Sequence, residues 1–158
     1  MNGLIPHKSY VEKFYNDAEK KIPGNIIKET SDLNFSAIPK GDPTPTNKNL
    51  GCILKELGWI TKGEDLWVGS YRLDHFKNGI GLEREFRTDR DLLFDVLKLQ
   101  LGYNTKKLSS GIIITYDNSV KVKGGNRPYI QELDKSITEF RDGKVLGFTI
   151  PLWVIGLR

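Results

Sequence analysis

Three carboxylates, Asp74, Glu83 and Glu85, lie on either side of an Asn78-Gly79 pair within the stretch Tyr71 to Phe86. Asn-Gly between extended runs marks a two-residue type I′ hairpin, because both central residues of that turn need positive φ. With the pair in the turn, Lys77 faces Ile80, Phe76 faces Gly81, His75 faces Leu82, Asp74 faces Glu83 and Arg72 faces Glu85. Side chains alternate along a strand and cross-strand partners share a face, so the three acids converge on one surface. Two carboxylates about 5 Å apart repel by roughly 3 kcal/mol at an effective dielectric near 20. A divalent cation with oxygen ligands offsets that cost, and Gly81 on the same face leaves room for a phosphate. A solvated hairpin in which Arg72 neutralises Glu85 fits the same residues, and a one-residue slip would turn the acids away. His75 falls on the opposite face, as a structural residue. Neither it nor His7 has a second histidine or cysteine at zinc-ligand spacing.

The surrounding pattern supplies elements to hold such a hairpin. Val11, Phe14, Tyr15, Ala18 and Ile22 recur at helical steps, predicting a helix over 7–22 that Pro23-Gly24 stops. A short strand at Ile26-Ile27 is compatible with the sequence, and Pro39, Pro43 and Pro45 mark a stiff loop. A helix over 48–57 follows, with Asn47 as its N-cap, Gly58 as its C-cap and Cys52 on its buried side. Residues 66–86 read as strands and 90–101 as a helix. The β-branched run 111–116 reads as a strand buried on both sides, and 117–127 as a polar loop. A helix over 129–140 and a last strand within 146–157 complete the chain. Helices alternating with strands predict an α/β fold with a mixed central β-sheet flanked by helices.

At 158 residues the chain is the size of one domain, and 38% hydrophobic content with 16 glycines argues against extensive disorder. One domain, 1–158, is expected, with an N-terminal helix and loop region (1–46) ahead of a core (47–158) that carries the hairpin acids and that the resemblance described next makes catalytic. The net charge of +4 permits a polyanionic partner without demanding one. A lone Cys52 cannot form an internal disulfide, MNGLIPHKSY lacks the apolar run of a signal peptide, and the apolar stretch 145–157 is too short to span a bilayer. A soluble, cytoplasmic protein with no membrane partner is expected.

LDHFKNGIGLEREF, the helix DRDLLFDVLKLQLGY and the strand SSGIIITY together resemble the catalytic core of BglII/BamHI-type type II restriction endonucleases, in the PD-(D/E)xK nuclease superfamily. The similarity extends back to NLGCILKELGW and on through NRPYIQELDKSITEF to VLGFTIPLWVIGL, about 110 residues from Asn47. The resemblance implies a restriction-endonuclease-like core and Mg²⁺-dependent hydrolysis of duplex DNA at a short palindromic site. One or two ions would be bound by Asp74 and Glu83. Glu85 falls where most of the superfamily has lysine, BamHI-like members glutamate and BglII-like members glutamine, as base or outer ligand. Glu56 is a possible additional acid, or a solvated helix charge. The same likeness puts recognition residues in the loop, where Asn118, Lys121, Lys123, Asn126 and Arg127 suit phosphate and base contacts. Lys98, Lys106 and Lys107 could add phosphate contacts or serve only solubility. It also implies a homodimer, with 132–140 and 90–101 as candidate interface helices. The alternatives are a structure-specific repair or recombination nuclease of this fold and a non-catalytic DNA-binding module.

Overall fold

The computed structural model describes residues 8–143 and 147–158. Strand β1 (Tyr10–Tyr15) is followed by helices α1 (Ala18–Lys21), α2 (Gly24–Ser31) and α3 (Pro43–Glu56). Two short strands, β2 (Trp67–Val68) and β3 (Tyr71–Arg72), pair with each other. Then come β4 (His75–Lys77), β5 (Ile80–Arg84), α4 (Asp89–Asn104), β6 (Ser110–Tyr116), α5 (Ile130–Asp142) and β7 (Leu152–Leu157).

The main sheet has the order β1-β7-β6-β5-β4. Strands β5, β6 and β7 run parallel, joined through α4 and α5, while β4 and β1 close the edges antiparallel. Parallel strands need long crossovers, and the helices that supply them cover the sheet. Ile113 and Val154 point to the face covered by Leu92, Val96 and Leu99 of α4 and Leu133 and Ile137 of α5. Leu82, Ile112, Ile114 and Trp153 point to the other, against Ile26 of α2 and Leu50 and Leu54 of α3. Every residue of β6 is buried, as a central strand of this mixed α/β sheet requires.

The expected hairpin is present in its expected register, His75 to Leu82, Phe76 to Gly81 and Lys77 to Ile80, with Asn78 and Gly79 at φ 51° and 79°. Its outer extension differs. The ladder ends at the His75–Leu82 pair, so Asp74 is not ladder-paired with Glu83 and reaches β5 through its side chain on the Arg84 amide, while Arg72 pairs with Trp67 of β2 and donates to the Thr61 carbonyl at 2.8 Å. Arg72 therefore does not face or neutralise Glu85.

The N-terminal half departs further from expectation. Residues 10–15 form an edge strand on β7, not a helix, because Tyr-Val-Glu-Lys-Phe-Tyr suits a half-covered strand and Asn16 and Asp17 turn the chain with φ 54° and 60°. Ile26 lies in a helix, and with Thr30 it makes the buried i, i+4 pair of α2. Helix α3 starts at Pro43, with Asp42 as the cap accepting from the Thr44 amide at 3.3 Å. Proline is tolerated in a first helical turn, where the missing N–H has no carbonyl to reach. Asn47 accordingly lies inside the helix. His7 and the start of the last apolar stretch, at 145–146, lie outside the described residues. No described helix is long and apolar enough to cross a membrane.

Candidate active site

Gly81 sets how α4 meets the hairpin. A Cβ there would lie 2.7 Å from Leu99 and 2.9 Å from Leu108, so the glycine admits the helix, and its space is not left open for a phosphate. Helix and strand then run alongside each other in matched steps. Four helical residues rise about 6 Å and two strand residues about 6.6 Å. With Leu99 seated over Gly81, Asp95 reaches Glu83 one step on, and Asp91 reaches the level of Glu85 one step further. Five acids, Asp74, Glu83, Glu85, Asp91 and Asp95, consequently line one polar pocket of about 320 Å³ with Asn47, Arg84, Arg87 and Lys98.

The centre of the pocket is an ion cluster. Glu83 is 1% exposed and Asp95 7%. The Lys98 ammonium lies 2.9 Å from Glu83 Oε2 and 3.2 Å from Asp95 Oδ1, and donates to the Arg72 carbonyl at 3.0 Å. All three of its N–H groups have oxygen partners. Burial, with Asp95 and Asp74 nearby, pushes the Glu83 carboxyl well above the ordinary range against the pull of Lys98. Burial also pushes Asp95 up to about 7, again against Lys98. Burial disfavours the Lys98 charge too, but the two carboxylates outweigh it and hold the ammonium above the usual lysine range.

The outer acids are held by backbone. Asp74 Oδ2 accepts from the Arg84 amide at 2.9 Å. Glu85 Oε1 accepts from the amides of Arg87 and Thr88, at the entry to α4, and burial still leaves its carboxyl raised. Arg84 crosses to α3, where its Nη1 donates to the Asn47 carbonyl and, at 3.2 Å, to Asn47 Oδ1.

Asp74, Glu83 and Glu85 thus share one face and one pocket, as their spacing implies. Among the described residues, however, no three acidic, histidine or cysteine side chains are already gathered as a ligand set. Lys98 sits between the buried pair, and Glu85 is turned toward the helix amides. The residues nevertheless fit a hard cation. Their donors are all oxygen, carboxylates outnumber cations, and Glu83 Oε1 is buried without a hydrogen-bond partner among the described residues.

Other candidate residues lie elsewhere. Glu56 is exposed in the last turn of α3, outside the pocket. Cys52 is exposed rather than buried, since the covered side of α3 carries Thr46, Leu50 and Leu54. Lys98, expected to meet phosphates, is 9% exposed at its side chain and engaged with acids. Lys107 donates to the Trp67 carbonyl at 2.6 Å, and with Lys106 it lies by the hairpin turn, at the opposite end of β5 from the acids. His75 is on the face opposite the acids, 1% exposed and pushed down to about 4 by burial and then by Arg84. Asn118, Lys121, Lys123, Asn126 and Arg127 are exposed on the loop after β6, at the end of the sheet where the acids lie. The last four line a cleft of about 650 Å³ with Lys40 and Asp42. Buried Asp117 braces this loop, accepting from Ser119 Oγ at 2.6 Å and from Gln131.

Asp95, Asp91 and the role of Lys98 are absent from the sequence reading. One signal was available: Asp95 and Lys98 lie between Leu92, Val96 and Leu99, so an acid and a base share the apolar stripe of α4.

Comparison with known proteins identifies the family and agrees with the fold. A family model described as restriction endonuclease BglII/BglIII matches residues 14–157. No curated protein sequence matches the chain. Among solved structures, restriction endonuclease BglII complexed with a DNA 16-mer superposes with TM-score 0.76 at 18% identity, covering 94% of this chain and 78% of that one. Free BglII gives TM-score 0.70 at 17% identity, with 94% and 79% covered.

Proposed function

The chain belongs to the BglII/BglIII family of restriction endonucleases, and from that premise we propose that its acid pocket hydrolyses duplex DNA with Mg²⁺ at a short palindromic site. Membership of the family makes it a DNA endonuclease of the type II restriction class. The metal, the site and the residue roles are the proposal. The observation that carries it is Glu83, a buried carboxylate with one oxygen unpartnered and its charge opposed by neighbouring acids.

In this reading Asp74 and Glu83 hold one or two Mg²⁺ ions. When bound, the metal supplies Lewis-acid polarisation of the scissile phosphate and a lowered pKa for water. The chain's own residues supply position. Glu85, fixed by the Arg87 and Thr88 amides, orients the attacking water and accepts its proton, a task suited to a carboxyl held above its ordinary range. Arg84, tied to Asn47, keeps α3 against β5 beside Asp74.

A homodimer fits a palindromic substrate, because a two-fold protein matches a two-fold sequence. Support comes from the outer side of α4. Phe94 (44% exposed) and Leu97 (40%) are exposed there, one helical turn apart, and the Tyr71 and Phe94 rings are in edge contact at 5.3 Å. An exposed apolar group of that composition suits burial against a second copy. The lone thiol suits the reducing cytoplasm that the reading assigns.

The test is digestion of plasmid and phage DNA with Mg²⁺, with fragment ends sequenced, for the wild type and for Asp74→Ala and Glu83→Ala. Discrete fragments with one common end sequence, lost in both variants, support the proposal. Undiminished cutting by either variant removes that residue from the site. Cleavage confined to branched or mismatched DNA points instead to a structure-specific nuclease.

A further inference from the structure

Helix α3 has a second side that the acid pocket does not use. Lys48, Gly51, Cys52 and Lys55 recur at i, i+3, i+4 and i+7, opposite the buried Thr46, Leu50 and Leu54. They form one wall of a cleft of about 580 Å³ whose other lining includes Arg72, His75 and Arg84. Lys48 and Lys55 are exposed, and neither makes an ion pair among the described residues.

The cleft has the features of a built anion site. A Cβ at Gly51 would lie 2.9 Å from Arg84 Nη1, so the missing side chain lets the guanidinium lie against the helix. Among the described residues, Arg84 Nε and both ring nitrogens of His75 are buried without hydrogen-bond partners, and His75 is 1% exposed. Asn47, Asp74 and Arg84 belong both to this cleft and to the acid pocket, so the two are continuous. Lys48 and Lys55 are seven residues, or about 10 Å, apart along the helix. A DNA strand rises about 3.4 Å per nucleotide along the duplex axis while winding around it, so the two lysines suit two phosphates of one strand.

We propose that the Lys48–Lys55 face of α3, with Arg72 and Arg84, binds the sugar–phosphate backbone of duplex DNA flanking the bond that is cut. This rests on the acid pocket being the cutting site. The cleft takes phosphates and carries no base specificity, which is left to the loop after β6.

Cys52, the chain's single cysteine, is exposed between the two lysines and reports occupancy of the ridge in the unmodified protein. Alkylation by neutral N-ethylmaleimide is followed with and without saturating sheared duplex DNA in metal-free buffer, with binding checked by fluorescence anisotropy. The expected result is at least a tenfold slower reaction on DNA. The Lys48→Ala/Lys55→Ala double variant is expected to reduce the slope of log affinity against log salt by about two. Duplex DNA that binds by anisotropy yet leaves both the alkylation rate and the salt slope unchanged overturns this inference and spares the nuclease reading. A protein that binds no duplex DNA under any salt condition overturns the nuclease reading itself.

Discussion

Lys98→Met removes the one cation held among the buried acids of the pocket. The ammonium satisfies Glu83 Oε2, Asp95 Oδ1 and the Arg72 carbonyl, with side-chain exposures of 9%, 1% and 10% for Lys98, Glu83 and Asp95. Two oxygens that each lie about 3 Å from one nitrogen are at most about 6 Å apart, so the unscreened carboxylates repel by roughly 3 kcal/mol at an effective dielectric of 20. Breaking a buried pair by deleting one partner typically costs about 3–5 kcal/mol. The variant should therefore lose about 3–5 kcal/mol at pH 8 in urea denaturation, read as a lower midpoint at unchanged slope. Glu83 and Asp95 have folded-state pKa values raised above their unfolded ones, so the folded protein binds more protons than the unfolded chain. Stability then falls as pH rises through the raised range and is regained on acidification. The deficit of the variant should shrink toward pH 5, where protonation silences the repulsion. A loss below about 1 kcal/mol at pH 8, or one that grows on acidification, would refute the ion-cluster reasoning.

Other outcomes follow from the same geometry. Gly81→Ala should lower stability by about 1–3 kcal/mol in the same assay, because its methyl group meets Leu99 and Leu108. Phe94→Glu with Leu97→Glu should convert a dimer to a monomer in analytical ultracentrifugation, with circular dichroism unchanged, since both side chains are already exposed. Asp117→Ala removes the brace of the loop after β6, and should weaken DNA affinity in anisotropy titrations while leaving the metal affinity measured by calorimetry unchanged.

The sequence revealed the hairpin well because its determinants are local: the turn dipeptide fixes the register, and the register fixes which face carries Glu83 and Glu85. Strand β6 was equally legible from its unbroken β-branched run. Strand β1 was not, because Tyr10, Val11, Phe14 and Tyr15 recur at helical spacing without strand alternation, and the partner β7 lies at the other end of the chain. Arg72 was misplaced because nothing local marks where the ladder ends, and β2, which captures it, is two residues long. The core of the site was half legible. Asp74 and Glu83 followed from the turn, whereas Asp95 and Lys98 depend on how α4 settles on Gly81, a packing event between separate elements. Charges on a helix look alike in sequence until the strand beneath them is known.

Manganese located by anomalous diffraction in crystals of the protein with uncut DNA tests the central claim most directly. The account predicts a peak bound by Asp74 and by the unpartnered Glu83 oxygen, lost in Glu83→Gln. A metal bound away from both residues, in a protein that still cuts DNA, would contradict it.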